Sequence, residues 1–130
     1  MDIGKEFGTD LKKEEDGVPV ELGDSTFFIA RANTKAYNKM VNQLFTKNKK
    51  VLDLKNDAAT TLSDNLMAEV VGTTVLKGWT GVTEGGVDLP YSVLNAIRMC
   101  RIKDFRAIIM EKASDMTLYK SAVDEEVTGN

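Results

Sequence analysis

The residue types that carry most enzyme chemistry are sparse in this chain. Histidine does not occur. Its absence removes the commonest general base, the commonest metal ligand and every Ser-His or Cys-His nucleophile pair. The one cysteine, Cys100, falls on the apolar face of a predicted helix, with only Arg101 and Lys103 near in sequence to activate it. It reads as a small core residue. Carboxylates are plentiful but scattered. Asp10, Glu14, Glu15 and Asp16 lie in a polar leader, Asp64 and Glu69 sit on the polar side of a predicted helix, and no D-x-D-x-D-G calcium loop occurs. The glycines of GVTEGG (81–86) match neither phosphate-loop pattern, and Gly85-Gly86 do not directly precede a helix start. The residues therefore predict no catalytic group, no metal and no cofactor, and the chain is expected not to be an enzyme.

What remains is charge. Residues 1–24 hold eight acids and three bases, net −5, and residues 25–55 hold one acid and seven bases, net +6. Residues 56–91 return to net −4, and residues 92–130 balance. An acidic head beside a basic segment favours oriented association, within one chain or between chains. Lys35, Lys39, Lys47, Lys49 and Lys50 are the candidate partner-binding residues of the basic segment. With Lys55 they could also neutralise phosphates. Against that, only Arg31 accompanies them, no helix-turn-helix spacing is clear, and the pI of the whole chain is near 5.0. A solvated or protein-facing patch is the better reading, with no nucleic-acid partner.

At 130 residues the chain suits one domain able to bury a core without disulfide or metal. A single cysteine fits a reducing compartment. No apolar run approaches the ~18 residues of a membrane span, and the polar start lacks the apolar stretch of a signal peptide. A cytoplasmic protein with no membrane partner is expected.

The elements that must position these residues follow from periodicity. Residues 1–17 show none and read as a flexible arm, the alternative being an arm that orders against a neighbouring subunit. Residues 18–32 (VPVELGDSTFFIARA) read as a hairpin about Gly23-Asp24-Ser25, with Pro19 placing the first strand at an edge. Ala36, Tyr37, Met40, Val41, Leu44 and Phe45 form a helical stripe capped by Asn33 or Thr34. A second helix is predicted from about Asp57 to Lys77, with Gly72 inside it for close packing and Gly78 ending it. Ser92 starts a third, with Leu94, Ile97, Cys100 and Ile102 inward. Asp104 caps a fourth, with Phe105, Ile108 and Ile109 inward. Met116, Tyr119 and Ala122 suggest a short last helix, and 124–130 a flexible tail. The expected fold is mainly α with a small N-terminal β-hairpin (α+β), four to five helices in one domain over 18–123. In WTGVTEGGVDLPYSVLN (79–95), Trp79 is expected at the core edge, Gly85-Gly86 to reverse the chain, and Pro90, Tyr91 and Ser92 to open the next helix. This makes the stretch an inter-helix connector.

The order Val75-Leu76-Lys77-Gly78-Trp79, Gly81-Val82, Leu89-Pro90-Tyr91-Ser92 and Asn95-Ala96, behind a start with a polar arm, paired strands and Arg31-Ala32-Asn33, resembles the tail assembly chaperones of long-tailed, lambda-like non-contractile phages. The resemblance covers nearly the whole chain. It departs at Asn95, where the family often has glutamate, so the reciprocal half of a capping box is missing.

The resemblance implies a short-form chaperone, the longer form arising in many members by a programmed frameshift. It implies that the chain holds the tape measure protein soluble, helps recruit tail tube subunits, self-associates, works in the host cytoplasm and is absent from the mature virion. The alternatives are a structural head-tail or tail-completion protein and a small nucleic-acid-binding regulator. Met40, Met67, Met99, Met110 and Met116 fit either an adaptable binding groove or ordinary core, and core is the simpler reading. Replacing the predicted cap, Ser92→Ala, is expected to cost ~1 kcal/mol. Chemical denaturation measures this; an unchanged midpoint would contradict the capping role.

Overall fold

The alternating residues 18–29 fold as their pattern predicts. In the computed structural model, which describes residues 1–121, β1 (Val18–Leu22) and β2 (Ser25–Ile29) pair antiparallel, with Val18 opposite Ile29 and Leu22 opposite Ser25. Pro19 lies on the outer strand of a three-stranded sheet ordered β1-β2-β3, where its missing N–H leaves no ladder bond unmade. Phe27 and Ile29 are buried, on the face turned to the helices.

The third strand is the main departure from the sequence reading. The long helix, α5 (Asp57–Thr74), stops short of Lys77, and Leu76–Thr80 forms β3 against β2. Gly78 therefore does not end the helix. It lies within β3, where an added β-carbon would stand 3.3 Å from the Phe28 ring. The reason is local and tertiary together. Val70, Val71, Thr73, Thr74 and Val75 are β-branched and crowd a helix, and Thr74 Oγ1 turns back to donate to the Val70 carbonyl (2.7 Å). β2 then offers a free edge. The Ala30 N–H reaches the Val75 carbonyl (2.7 Å), and the register slips by one residue between Phe28 and Ile29.

The other helices are α1 (Ile3–Phe7), α2 (Leu11–Asp16), α3 (Lys35–Lys47), α4 (Lys49–Leu52), α6 (Val93–Cys100) and α7 (Lys103–Ala113), followed by a 3₁₀ turn at Met116–Tyr119. The architecture is the expected mainly helical α+β class. The helix number exceeds four to five because α1, α2 and α4 are too short to leave a periodic stripe. Thr34 caps α3 and Asn56 caps α5 through side-chain oxygens. Asp104 does not cap α7; the cap position is Ile102, and Asp104 lies in the first turn.

Residues 1–17 differ from the arm expected. α2 is fastened to the body: the Asp10 N–H donates to the Tyr119 carbonyl (2.8 Å), the Arg31 N–H to the Glu14 carbonyl (2.8 Å), and Thr9 bridges to Lys120. Tyr119 and Lys120 lie over a hundred residues away and Arg31 lies beyond the first hairpin, so local sequence carries no trace of these contacts. The expected tail at 124–130, and Ala122 of the last helix, lie outside the described residues.

α5 is the centre of the core and packs on α3, α4, α6, α7 and β3. Ala68, Val70, Val71, Val75 and Leu76 are completely buried, with Ala96, Cys100, Ile109 and Ala113 across from them. Two residues expected inward from α6 and its end, Leu94 and Ile102, are exposed at 79% and 55%, and Ile108 of α7 is also exposed. Met40, Met67, Met99 and Met110 pack against the core, which matches its ordinary use of methionine. Gly72 lets α6 approach α5 at backbone distance, since an added β-carbon would stand 2.7 Å from Ile97 Cα and N. Alanine is the better helix former by ~1 kcal/mol. Gly72→Ala is nevertheless expected to destabilise by ~1–3 kcal/mol through overpacking. Thermal unfolding checks this, and an unchanged or raised Tm would contradict the close contact.

Candidate functional site

The basic segment divides in two. Along α3, Tyr37, Met40, Val41 and Leu44 turn to the core, while Lys35 and Lys39, one helical turn apart, project from the opposite side. Lys47, Lys49 and Lys50 gather at the other end of α3, about 20 Å away along a 13-residue helix. There Asn48 breaks the helix: its N–H and its side-chain Nδ2 both reach the Leu44 carbonyl, the latter at 2.7 Å, and α4 starts at once. Lys47, Lys49 and Lys50 border a shallow depression of about 460 Å³ with Thr46 and Val51. Lys49 pairs with Asp53 (2.5 Å) on an open surface, where such a pair contributes little. All five predicted lysines are exposed, but the structure brings only three of them together.

Beside this cluster, α3, α4 and α5 border an open groove of about 400 Å³ lined by Phe45, Leu52, Ala59 and Lys55, with Thr60, Ser63 and Asp64. Asp64 is engaged by Arg106, whose Nη2 stands 3.3 Å from Asp64 Oδ1. Lys55 sits at φ 50°, a left-handed conformation that non-glycine residues seldom take. The groove went unnoticed in the sequence. Its one signal was the apolar pair Val51-Leu52 followed by Leu54 between lysines, too short for a periodic pattern.

The stretch 79–95 has a different role from the inter-helix connector expected. It starts as β3 and carries a second hairpin, β4 (Thr83–Glu84) and β5 (Val87–Asp88), turned by Gly85 and Gly86 at φ 59° and 80°. Trp79 Nε1–H donates to the Leu89 carbonyl (2.8 Å) and Tyr91 OH to the Leu76 carbonyl (2.7 Å), with the two rings edge to face at 5.1 Å. Asn95 Nδ2 donates to the Pro90 carbonyl (2.9 Å), and the Asn95 N–H donates to Ser92 Oγ (3.0 Å), the expected cap. The departure at Asn95 thus fixes the turn before the helix. Arg98 grips Glu84 with two bonds of 2.6 and 2.9 Å. Trp79, Pro90, Tyr91 and Ser92 lock the chain path, and none of them meets a reactive group.

Burial pushes the Cys100 thiol up to about 12, well away from a reactive thiolate. Among the described residues, no group of three or more His, Cys, Asp or Glu is placed to hold a metal ion, and no buried side-chain nitrogen or oxygen lacks a partner. No helix among the described residues is long and apolar enough to cross a membrane.

The sharpest electrostatic feature is structural. Glu14 accepts from Thr9 Oγ1 and from Arg31 Nη1 (2.8 Å), and Arg31 lies over the Tyr119 ring. The Thr9 bond, then Arg31, hold the Glu14 carboxyl below its ordinary value despite partial burial. Burial raises the Tyr119 phenol to about 12, and its hydroxyl donates to the Ile29 carbonyl (2.9 Å).

A family model described as YdaY prophage protein matches residues 30–130, from the end of the first hairpin onward. The chain belongs to the YdaY prophage protein family and is phage-derived. No curated protein and no solved structure matches it.

Because the folded pKa of Glu14 is depressed, its contribution is fully present above the ordinary glutamate value of ~4.3 and is lost as pH falls through the lower folded value. Glu14→Gln is therefore expected to destabilise at neutral pH, with the gap to the parent closing under acid. A gap constant from pH 7 to pH 3 would contradict the pairing.

Proposed function

We propose that this prophage protein acts during tail assembly as a chaperone, holding the tape measure protein soluble and helping tail tube subunits to gather on it. The observation that carries the reading is the amount of large apolar side chain left on the helical surface. Val93, Leu94, Ile102 and Ile108 are exposed around α6 and α7, although those helices have a complete core beneath them. Exposed apolar surface of this kind marks protein-binding sites. The exposed Lys35 and Lys39 on α3 add a charged surface that can orient a partner. The prophage family membership and the resemblance of the segment order to tail chaperones supply the phage context. On this reading the chain binds and does not catalyse. It works in the host cytoplasm and leaves before the virion is complete.

The partner is a long helical segment with exposed apolar faces, as the resemblance implies for a tape measure protein. Many weak, adaptable contacts suit such a partner, because repeated copies add avidity without tight single contacts. Co-expression with a tape measure fragment from the same phage tests the proposal. The fragment is expected to become soluble and to co-purify with the chain. Leu94→Glu with Ile102→Glu should reduce recovery at least several-fold while leaving the fold intact, since both side chains are exposed. An insoluble fragment, or the chain in stoichiometric amounts in purified virions, would contradict the role.

A further inference from the structure

The tip of the β4–β5 hairpin is scarcely buried. Its four strand residues, Thr83, Glu84, Val87 and Asp88, are all exposed, and a β-carbon added at Gly85 or Gly86 would meet nothing within 4 Å. A two-stranded hairpin is marginal in water without support. Its base is fastened by the Leu89 N–H, which donates to the Val82 carbonyl (2.9 Å), and by Trp79 Nε1–H, which donates to the Leu89 carbonyl (2.8 Å). Among the described residues, the tie from the side chains of 83–88 to a helix is the pairing of Glu84 with Arg98 of α6, at 2.6 and 2.9 Å. A two-pronged guanidinium–carboxylate pair fixes orientation as well as distance.

That pair decides which way the hairpin faces. Glu84 and Val87 stand opposite each other across the Gly85-Gly86 turn. Directly opposed residues point their side chains to the same face. The face that carries Glu84 to Arg98 therefore also carries Val87, which is 69% exposed. On α6, Leu94 and Arg98 lie one helical turn apart on the outer side, and Leu94 is 79% exposed. Val87 and Leu94 thus flank one ion pair, although one comes from a hairpin tip and the other from a helix.

We propose that Arg98 is a positioning residue: through Glu84 it holds the β4–β5 hairpin against α6, so that Val87 joins Leu94 in one apolar surface for the helical partner. The inference rests on the chaperone reading for its partner and extends that partner's surface from α6 and α7 to the hairpin. An exposed ion pair contributes little to global stability. It acts on the local equilibrium of the tip, where a small bias changes how often the tip is in place. A tip already in place spares the partner the cost of ordering it on binding.

The affinity of the purified chain for the tape measure fragment, together with NMR backbone order parameters of the free chain, tests the proposal. Val87→Ser is expected to raise the Kd about 3-fold or more. Arg98→Glu sets two carboxylates against each other. It should weaken binding by about the same factor and lower the order parameters of 83–88, at unchanged Tm. Arg98→Glu with Glu84→Arg should restore both. Val87→Ser binding like the parent, or Arg98→Glu leaving binding and tip order unchanged, would overturn the hairpin's part and leave the chaperone reading standing. A reversed pair that restores neither would assign the loss to Arg98 itself and overturn the positioning role. A parent chain that does not bind the fragment would overturn both readings together.

Discussion

The backbone-to-backbone contact of α5 and α6 is the constraint on which the rest of the structure depends. It exists because Gly72 carries no side chain where Ile97 crosses it. With α6 held that close, Ala96 and Cys100 are fully buried against the valines of α5. The chain must then travel from the end of β3 to the start of α6 by a fixed route. The side-chain bonds of Trp79, Tyr91 and Asn95 to backbone carbonyls hold that route. The small sheet rests on the other side of the same helix, where Val75 and Leu76 leave α5 and pair with β2.

Cys100 and Tyr119, whose pKa values move most, are both buried, and the Tyr119 hydroxyl donates to the Ile29 carbonyl. The surface, by contrast, keeps apolar side chains that the core does not need, on α1, on α4 and around α6–α7. It also keeps a run of lysines whose neighbours in sequence, not in function, made them look like one patch. Such a surface suits a protein that works by contact.

Much of this was legible in the sequence. The first hairpin, α3, the caps at Thr34 and Ser92 and the close packing at Gly72 each follow from a local rule with a strong residue preference. What was not legible depended on distant partners. Helical periodicity continued through Leu76, and the edge of β2, together with the crowded β-branched end of α5, decides that Leu76 becomes strand. Leu94 and Ile102 fit a helical stripe, yet α6 is too short for its ends to reach the core. α2 owes its place to Tyr119 and Lys120, far away in sequence, and to Arg31 beyond the first hairpin. For the site, the lysines were visible by type, but their division into two groups and the groove beside one of them required the break at Asn48.

The central claim is that the chain serves phage assembly by holding a partner on its exposed helical surface. Hydrogen exchange of the chain, alone and in complex with a tape measure fragment, tests this most directly. The account predicts slowed amide exchange around α6, α7 and the first turns of α3, with the α5 interior unchanged because it is already buried. Unchanged exchange over all of these helices in a stoichiometric mixture would contradict it.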